Sequence, residues 1–337
     1  MSCQLMKQPR SGYCATIAIQ QQNFPKEKLM KLLHFDDFKL GVLKGDNVVD
    51  ISDIANAVPH TGAHNRINGL IENFETYRSR IEAVVSAGEG VPVSSVRIRS
   101  PLPKPGNIDC MAVNYMEDGT RSEPAPINAF MKSSNCVIGD GDTMVLPDVP
   151  GTIFEGEAEI ALVIGKHANN VSEADAMDYV FGYTNFIDGS ARGLPPAGNT
   201  FYQMKSRKTF APMGPYLVTK DEIVNPQKLQ VVLKNNGLVQ QNFNTDDMAH
   251  NIKKSIAWVS SIHPLEPGDV LATGTNHRGL NPFMDGDKIE LEVEGLGVLT
   301  IHIKDDLKRT WARITRLQHA ENGAEGVQTP QLTGKYA

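Results

Sequence analysis

A chain of 337 residues, 40% hydrophobic and 21% charged, is long enough for one large or two ordinary domains with a sizeable core. Its formal net charge of −6 argues against a general affinity for nucleic acid or anionic membrane, so neither is expected as a partner. No apolar run approaches the roughly 18 residues that a membrane helix needs.

In chain order, Met1 to Phe24 lacks the apolar core of a signal peptide, and Gln20-Gln21-Gln22-Asn23 reads as flexible chain. Leu32-Leu33-His34-Phe35, Leu40-Gly41-Val42-Leu43 and Val48-Val49-Asp50-Ile51 predict three short strands, with Lys44-Gly45-Asp46-Asn47 turning between the last two. From Asn65 to Ala87, Ile67, Leu70, Ile71, Phe74, Tyr77, Ile81 and Val84 recur at helical spacing, which predicts one helix ending near Gly88. Ser100-Pro101-Leu102-Pro103-Lys104-Pro105-Gly106 can continue neither a helix nor a central strand. It separates a small N-terminal domain, residues 30–100, from the main domain, residues 101–317.

Beyond this connector, strands are predicted over Ile108–Val113, Ala158–Ile164, Tyr183–Asp188, Gly214–Val218 and Leu229–Lys234. Asn235-Asn236-Gly237 turns the last of these into Leu238-Val239-Gln240, and Glu294-Gly295-Leu296-Gly297 joins Ile289–Val293 to Val298–Ile303. Helices are predicted from Ser172, whose side chain can cap with Asp175, and over Thr245–Ser261. Strands without regular helical crossovers indicate an α+β fold built on a mixed β-sheet roll rather than a dinucleotide-binding sheet. The polar tail, residues 318–337, is expected to be disordered. Cys3, Cys14, Cys110 and Cys136 show no C-x-x-C spacing, which indicates neither a zinc site nor a disulfide framework and fits a reducing cytoplasm.

Glu157 and Glu159 are the most informative residues of the main domain. They occupy i and i+2 of the apolar run that ends Ala161-Leu162-Val163-Ile164, so both side chains leave the same face of a strand. Burying paired like charges is costly unless a cation compensates them. A hard divalent metal would do so, with Asp188 as a third oxygen ligand. The competing reading puts both glutamates on the solvent side of an edge strand, although apolar residues on both faces speak against simple alternation.

Several ordered blocks resemble the fumarylacetoacetate hydrolase family, over roughly Lys31 to Trp311. They are Asn114-Tyr115, Phe130-Met131-Lys132, Glu157-Ala158-Glu159 with Gly165-Lys166, Asp188-Gly189-Ser190-Ala191-Arg192, Lys205-Ser206 followed by Thr209-Phe210-Ala211-Pro212-Met213-Gly214-Pro215, and Thr273-Gly274-Thr275 with Gly286-Asp287. The resemblance implies a catalytic domain of that family's fold over residues 101–317, a small α/β domain before it, and an added flexible extension over residues 1–29. It implies Mg²⁺ or Mn²⁺ held by Glu157, Glu159 and Asp188, a small oxo-acid substrate, a cytoplasmic homodimer and a place in aromatic-compound catabolism. Lys205 would hold substrate oxygens or developing negative charge, and Thr275 the substrate carboxylate. Tyr115 and Lys132, in matched blocks, are further candidates for substrate contact. Arg192 is expected to buttress Asp188.

The departure from the family pattern concerns the base. Where such hydrolases read N-Y-x-x-H-x-x-E, this chain reads Asn114-Tyr115-Met116-Glu117-Asp118-Gly119-Thr120-Arg121, with Asp118 at the histidine position and Arg121 at the glutamate position. The base is then Asp118 or Glu117, or His277 in Thr275-Asn276-His277-Arg278-Gly279, or none is needed. Arg121 or Arg278 could pair with a second substrate carboxylate. Residues Glu117 to Ser134 are expected to cover the site as a lid. The leading expectation is a divalent-metal-dependent hydrolase of C–C bonds in an acylpyruvate-like or β-diketo acid. The alternatives are a 2-oxo acid decarboxylase, a 2-oxo-enoate hydratase or isomerase, and a metal- and acid-binding homologue without catalysis.

Overall fold

Strand-forming runs dominate the chain, and in the computed structural model they assemble into mixed sheets accompanied by few helices, an α+β architecture. Residues 30–198, 201–324 and 328–337 are described; the expected extension over residues 1–29, with Cys3 and Cys14, lies outside them. The large sheet runs, in spatial order, through Val91–Pro92, Asn47–Asp50, Lys39–Lys44, Lys31–Phe35, Ala211–Thr219, Val180–Arg192, Ile153–Ile164, Val270–Ala272, Ile108–Met111 and Ala129–Met131. A smaller sheet orders Leu238–Asn244, Gln230–Asn235, Lys288–Val293, Val298–Lys304 and Thr143–Val145. The N-terminal strands are continuous with the main sheet, because Lys31 and Leu32 pair with Val218 and Leu217.

The Ile153–Ile164 and Val180–Arg192 strands form the centre of the molecule. Ile160, Leu162 and Ile164 pack into a core shared with Val231, Leu233, Leu291 and Ile301 of the smaller sheet. Ala161 and Val163, on the opposite face, pack under Ile67, Leu70, Ile71 and Phe74. Coverage on both faces explains why apolar residues fail to alternate here, and it removes the edge-strand reading of Glu157 and Glu159.

Several element boundaries differ from expectation, each for a local reason. Asn73 leaves the helical conformation (φ −108°, ψ 18°) and its side chain donates to the Gly69 carbonyl at 2.9 Å. The single helix expected over residues 65–87 is thereby divided into Arg66–Glu72 and Phe74–Ala87. Ser172 does bond Asp175, yet only a short turn, Ala176–Tyr179, follows before the long strand begins. The helix expected from Thr245 starts at Ile252, where the Asn251 side chain caps the Lys254 amide at 2.9 Å. The first main-domain strand stops at Met111, and Val113 adopts φ 54° beyond it.

The tail expected to be disordered is held in place over its described residues. Thr315 and Gln318 form a reciprocal cap that starts the Arg316–Glu321 helix. Gln331–Thr333 pairs with Thr310–Trp311, and Lys335 and Tyr336 both bond the Asp148 carboxylate. Its polar composition conceals this docking, because backbone pairing and polar contacts replace an apolar face.

Candidate active site and metal centre

The site follows from strand register. Glu157 lies directly opposite Asp188 and Glu159 opposite Phe186 in the antiparallel pair, so all three carboxylates share one face. One oxygen from each lies within 4.8 Å of the others, and all three residues are buried. Gly156 keeps the strand close to its neighbours, since a Cβ there would meet the Phe283 ring at 2.5 Å. The Gly274 amide donates to Glu159 Oε2 at 2.7 Å, whereas Glu159 Oε1 is buried without a hydrogen-bond partner among the described residues. Burial, followed by the charges of Asp188 and Glu157, pushes the Glu159 carboxyl well above its ordinary range. Buried clustered carboxylates with an orphaned oxygen fit a hard divalent cation, and these residues could hold one.

Cationic side chains surround the carboxylates. Lys132 bonds Asp188 and donates to the Gly189 carbonyl at 3.0 Å. Lys205 bonds Asp188 and reaches Glu157 Oε2 at 2.9 Å, and it sits 5.3 Å from the Phe130 ring centre. Burial alone would raise the Glu157 carboxyl, but Lys205 and then Arg192 pull it well below the usual range. Burial opposes the Lys205 charge, yet Asp188 and Glu157 together raise it. Arg192 bonds Glu157 and Glu155 instead of buttressing Asp188, because its strand position is set opposite Ile153 at the far end of the pair.

The turn over Glu117, Asp118 and Gly119 supplies a second constellation. Glu117, Asp118 and Gly119 have φ of 58°, 55° and 77°, a consecutive left-handed run. Asp247 holds this turn, accepting the Asp118 amide at 3.0 Å on its side chain and the Met116 amide at 2.9 Å on its carbonyl. The result directs Glu117 inward: its carboxylate accepts the His277 amide at 2.9 Å and His277 Nδ1 at 2.7 Å. His277 Nε2 then stands 3.9 Å from Glu157 Oε1. A histidine–glutamate pair is therefore present, assembled from two loops instead of one.

The remaining candidates separate. Thr275 is buried, and its Oγ1 lies 2.8 Å from Gln241 Nε2, which donates to it. Asp118 is half-exposed and pairs with Arg278 at 3.0 Å. Tyr115 is fully buried, edge-on to Phe243 with ring centres 5.0 Å apart. A small inner cavity of about 50 Å³ is lined by Glu157, Lys205, Thr275, His277, Phe130 and Phe201 among others. It shares Val113, Arg192 and His277 with an outer cavity of about 580 Å³, which Glu117, Arg121, Arg278 and the Arg316–Glu321 helix also line.

Sequence reasoning assigns no role of their own to three residues that shape this site. Glu155 continues the i, i+2 series of Glu157 and Glu159, a signal the sequence does carry; it is buried and binds Arg192 and Arg316. Gln241 links the Ala158 amide at 3.0 Å to Thr275 and to the Asn276 carbonyl at 2.8 Å. Asn114 donates to the carbonyls of Thr273 at 2.8 Å and His250 at 3.1 Å, so it ties the start of the Glu117 turn segment to the Thr273–Thr275 loop.

Comparison with known proteins places the chain among relatives of one family. The model of the fumarylacetoacetate (FAA) hydrolase C-terminal family matches residues 107–304. Maleylpyruvate hydrolase from Aquipseudomonas alcaligenes is 33% identical over 291 residues, spanning 82% of this chain and 99% of that protein. Oxaloacetate tautomerase YisK from Bacillus subtilis is 36% identical over 223 residues, 63% of this chain and 74% of the relative. The crystal structure of maleylpyruvate hydrolase from Sphingobium sp. SYK-6 in complex with manganese(II) ion and pyruvate aligns with a TM-score of 0.74 at 33% identity, covering 82% of this chain and 99% of that one.

Proposed function

The chain belongs to the fumarylacetoacetate hydrolase family, and from that premise we propose a divalent-metal-dependent hydrolase that cleaves a C–C bond in an acylpyruvate-like or β-diketo acid. The observation that carries the reading is the juxtaposition of the Glu157, Glu159 and Asp188 carboxylates with the Glu117–His277 pair. Glu157, Glu159 and Asp188 would hold Mg²⁺ or Mn²⁺, which when bound supplies Lewis-acid stabilisation of the negative charge that develops as the C–C bond breaks.

The protein's own groups account for the rest. An ionised carboxylate only accepts, so Glu117 fixes the His277 proton on Nδ1 and leaves the Nε2 lone pair facing Glu157 and the inner cavity. Nε2 takes a proton from water, whose oxygen adds to the substrate's distal carbonyl. The C–C bond then breaks towards the pyruvyl fragment, and the imidazolium returns its proton to the departing carbon. Glu117 stabilises the imidazolium in between. Lys205 holds substrate oxygen at the inner cavity. Because Thr275 accepts from Gln241, its hydroxyl proton remains available to a substrate carboxylate.

A second reading has support of its own. The same pair could move a proton between carbon and oxygen without adding water, and the likeness to oxaloacetate tautomerase YisK favours such a tautomerase or isomerase. The proposal also includes a homodimer working in the cytoplasm. Among the described residues no helix is long and apolar enough to cross a membrane.

The metal requirement is tested by assaying turnover of an acylpyruvate with Mg²⁺ or Mn²⁺ after chelation. Chelator should abolish turnover, added metal should restore it, and Glu157→Gln should not respond. Full activity in chelator would contradict the reading.

A further inference from the structure

A third cavity, of about 680 Å³, shares no lining residue with the inner or the outer one. Met177, Ile223, Pro226 and Ile252 give it apolar walls. Tyr183, on the Val180–Arg192 strand, also lines it and packs in one core with Ile223 and Ile252. Only 1% of Tyr183 is exposed, yet its hydroxyl makes no hydrogen bond among the described residues. Burial raises the phenol above its ordinary range, so the hydroxyl keeps its proton and can donate it. A buried tyrosine ordinarily finds a partner for its hydroxyl, and the cavity is where one can sit.

The helix that starts beside this cavity says what kind of partner fits. Ile252–Ser260 spans nine residues, and Asn251, Ile252 and Lys253 at its start line the cavity. Its first turn holds Lys253 and Lys254 and no acidic residue, although the positive end of a helix dipole favours carboxylates there. The Ile252 amide donates to Gln227 Oε1 and the Lys254 amide to Asn251 Oδ1, both at 2.9 Å. The Lys253 amide between them has no acceptor within the helix. Lys220 also lines the cavity, its Nζ 3.4 Å from the Met177 carbonyl. Asp221 is paired with Arg78 at 2.8 Å, which leaves Asp178 to balance both Lys220 and Lys253. The cavity therefore carries a local excess of positive charge.

We propose that this cavity is a ligand site separate from the carboxylate cluster, and that it takes an organic monocarboxylate with an apolar body. The body lies against Met177, Ile223 and Ile252, and the carboxylate accepts from the Tyr183 hydroxyl and from donors at the Lys253 end of the cavity. An anion relieves the electrostatic mismatch of a helix headed by lysines, and the apolar walls favour an organic acid over an inorganic anion. The site does not depend on the chemistry performed at Glu157, Glu159 and Asp188.

Calorimetry on the full chain with 3-phenylpropionate and its uncharged counterpart 3-phenylpropanamide tests the site. The acid should bind with a dissociation constant of about 1 mM or tighter, and the amide about tenfold or more weakly. Tyr183→Phe should weaken the acid about tenfold and leave the urea unfolding midpoint unchanged or raised, because it deletes a hydroxyl that has no partner in the folded chain. Lys253→Glu, a change at an exposed position, should weaken the acid by a similar factor and leave the amide unaffected. Absence of acid binding, equal affinity for acid and amide, or acid binding that survives either variant would overturn the proposal.

Discussion

Glu117 has a costly backbone conformation, and the turn it forms carries its carboxylate to His277. A left-handed φ of 58° at a non-glycine residue is disfavoured by roughly 1 kcal/mol, and Asp118 repeats it. Asp247 holds the turn, and the conformation brings Glu117 to His277 Nδ1 at 2.7 Å. If the two act as one unit, Glu117→Gln should lower kcat by roughly a hundredfold or more, and His277→Gln by roughly 10²–10⁴-fold. The double variant should fall little further than His277→Gln alone, because the effects of coupled residues do not add. Full kcat in Glu117→Gln would separate Glu117 from the chemistry. Both residues are visible in the sequence as candidate bases, but their pairing is not. They lie 160 positions apart, and nothing local in either loop announces the other. The carboxylate cluster is far easier to read, because i, i+2 spacing on a buried strand is a local signal that forces a question about compensation.

At the scale of elements, register decides the site. Pairing Glu157 with Asp188 places three carboxylates together, and a shift by one residue would turn them to the opposite face. The Lys31–Phe35 strand shows the same dependence on its neighbours. His34 lies buried on it, with Nδ1 3.1 Å from the Pro101 carbonyl of the connector. Burial, then the charge of Arg66, lowers the His34 pKa to about 4 against an ordinary 6.5. As pH falls below 6.5 the unfolded chain takes up a proton that the folded chain refuses until about pH 4, so this contribution to stability is lost across that window. Between neutral pH and about pH 5, the wild type should lose about 2 kcal/mol more unfolding free energy than His34→Asn, measured by urea denaturation. Equal losses would mean that His34 does not titrate on unfolding. Strand existence is legible from apolar runs and turn residues, whereas helix limits are not. Asn73 and Asn251 set those limits through side-chain hydrogen bonds that hydrophobic periodicity does not register.

For the whole molecule, the α+β class and the sheet-rich main domain follow from the order of strands and the lack of helical crossovers. The ordered tail does not, since Lys335 and Tyr336 dock on Asp148 through polar contacts alone. That docking reaches the candidate site, because the Arg316–Glu321 helix lines the outer cavity and is tied through Arg316 to Glu155 on the carboxylate-bearing strand. The central claim is that this assembly activates water beside a carboxylate-held metal. Its most direct test is to run the metal-loaded enzyme on an acylpyruvate in H₂¹⁸O and weigh the products. Hydrolysis predicts one heavy oxygen in the carboxyl group of the released acid, together with pyruvate, and loss of both products in His277→Gln. Conversion of the substrate without C–C cleavage and without labelled carboxylate would contradict hydrolysis and favour proton transfer as the chemistry of the Glu117–His277 pair.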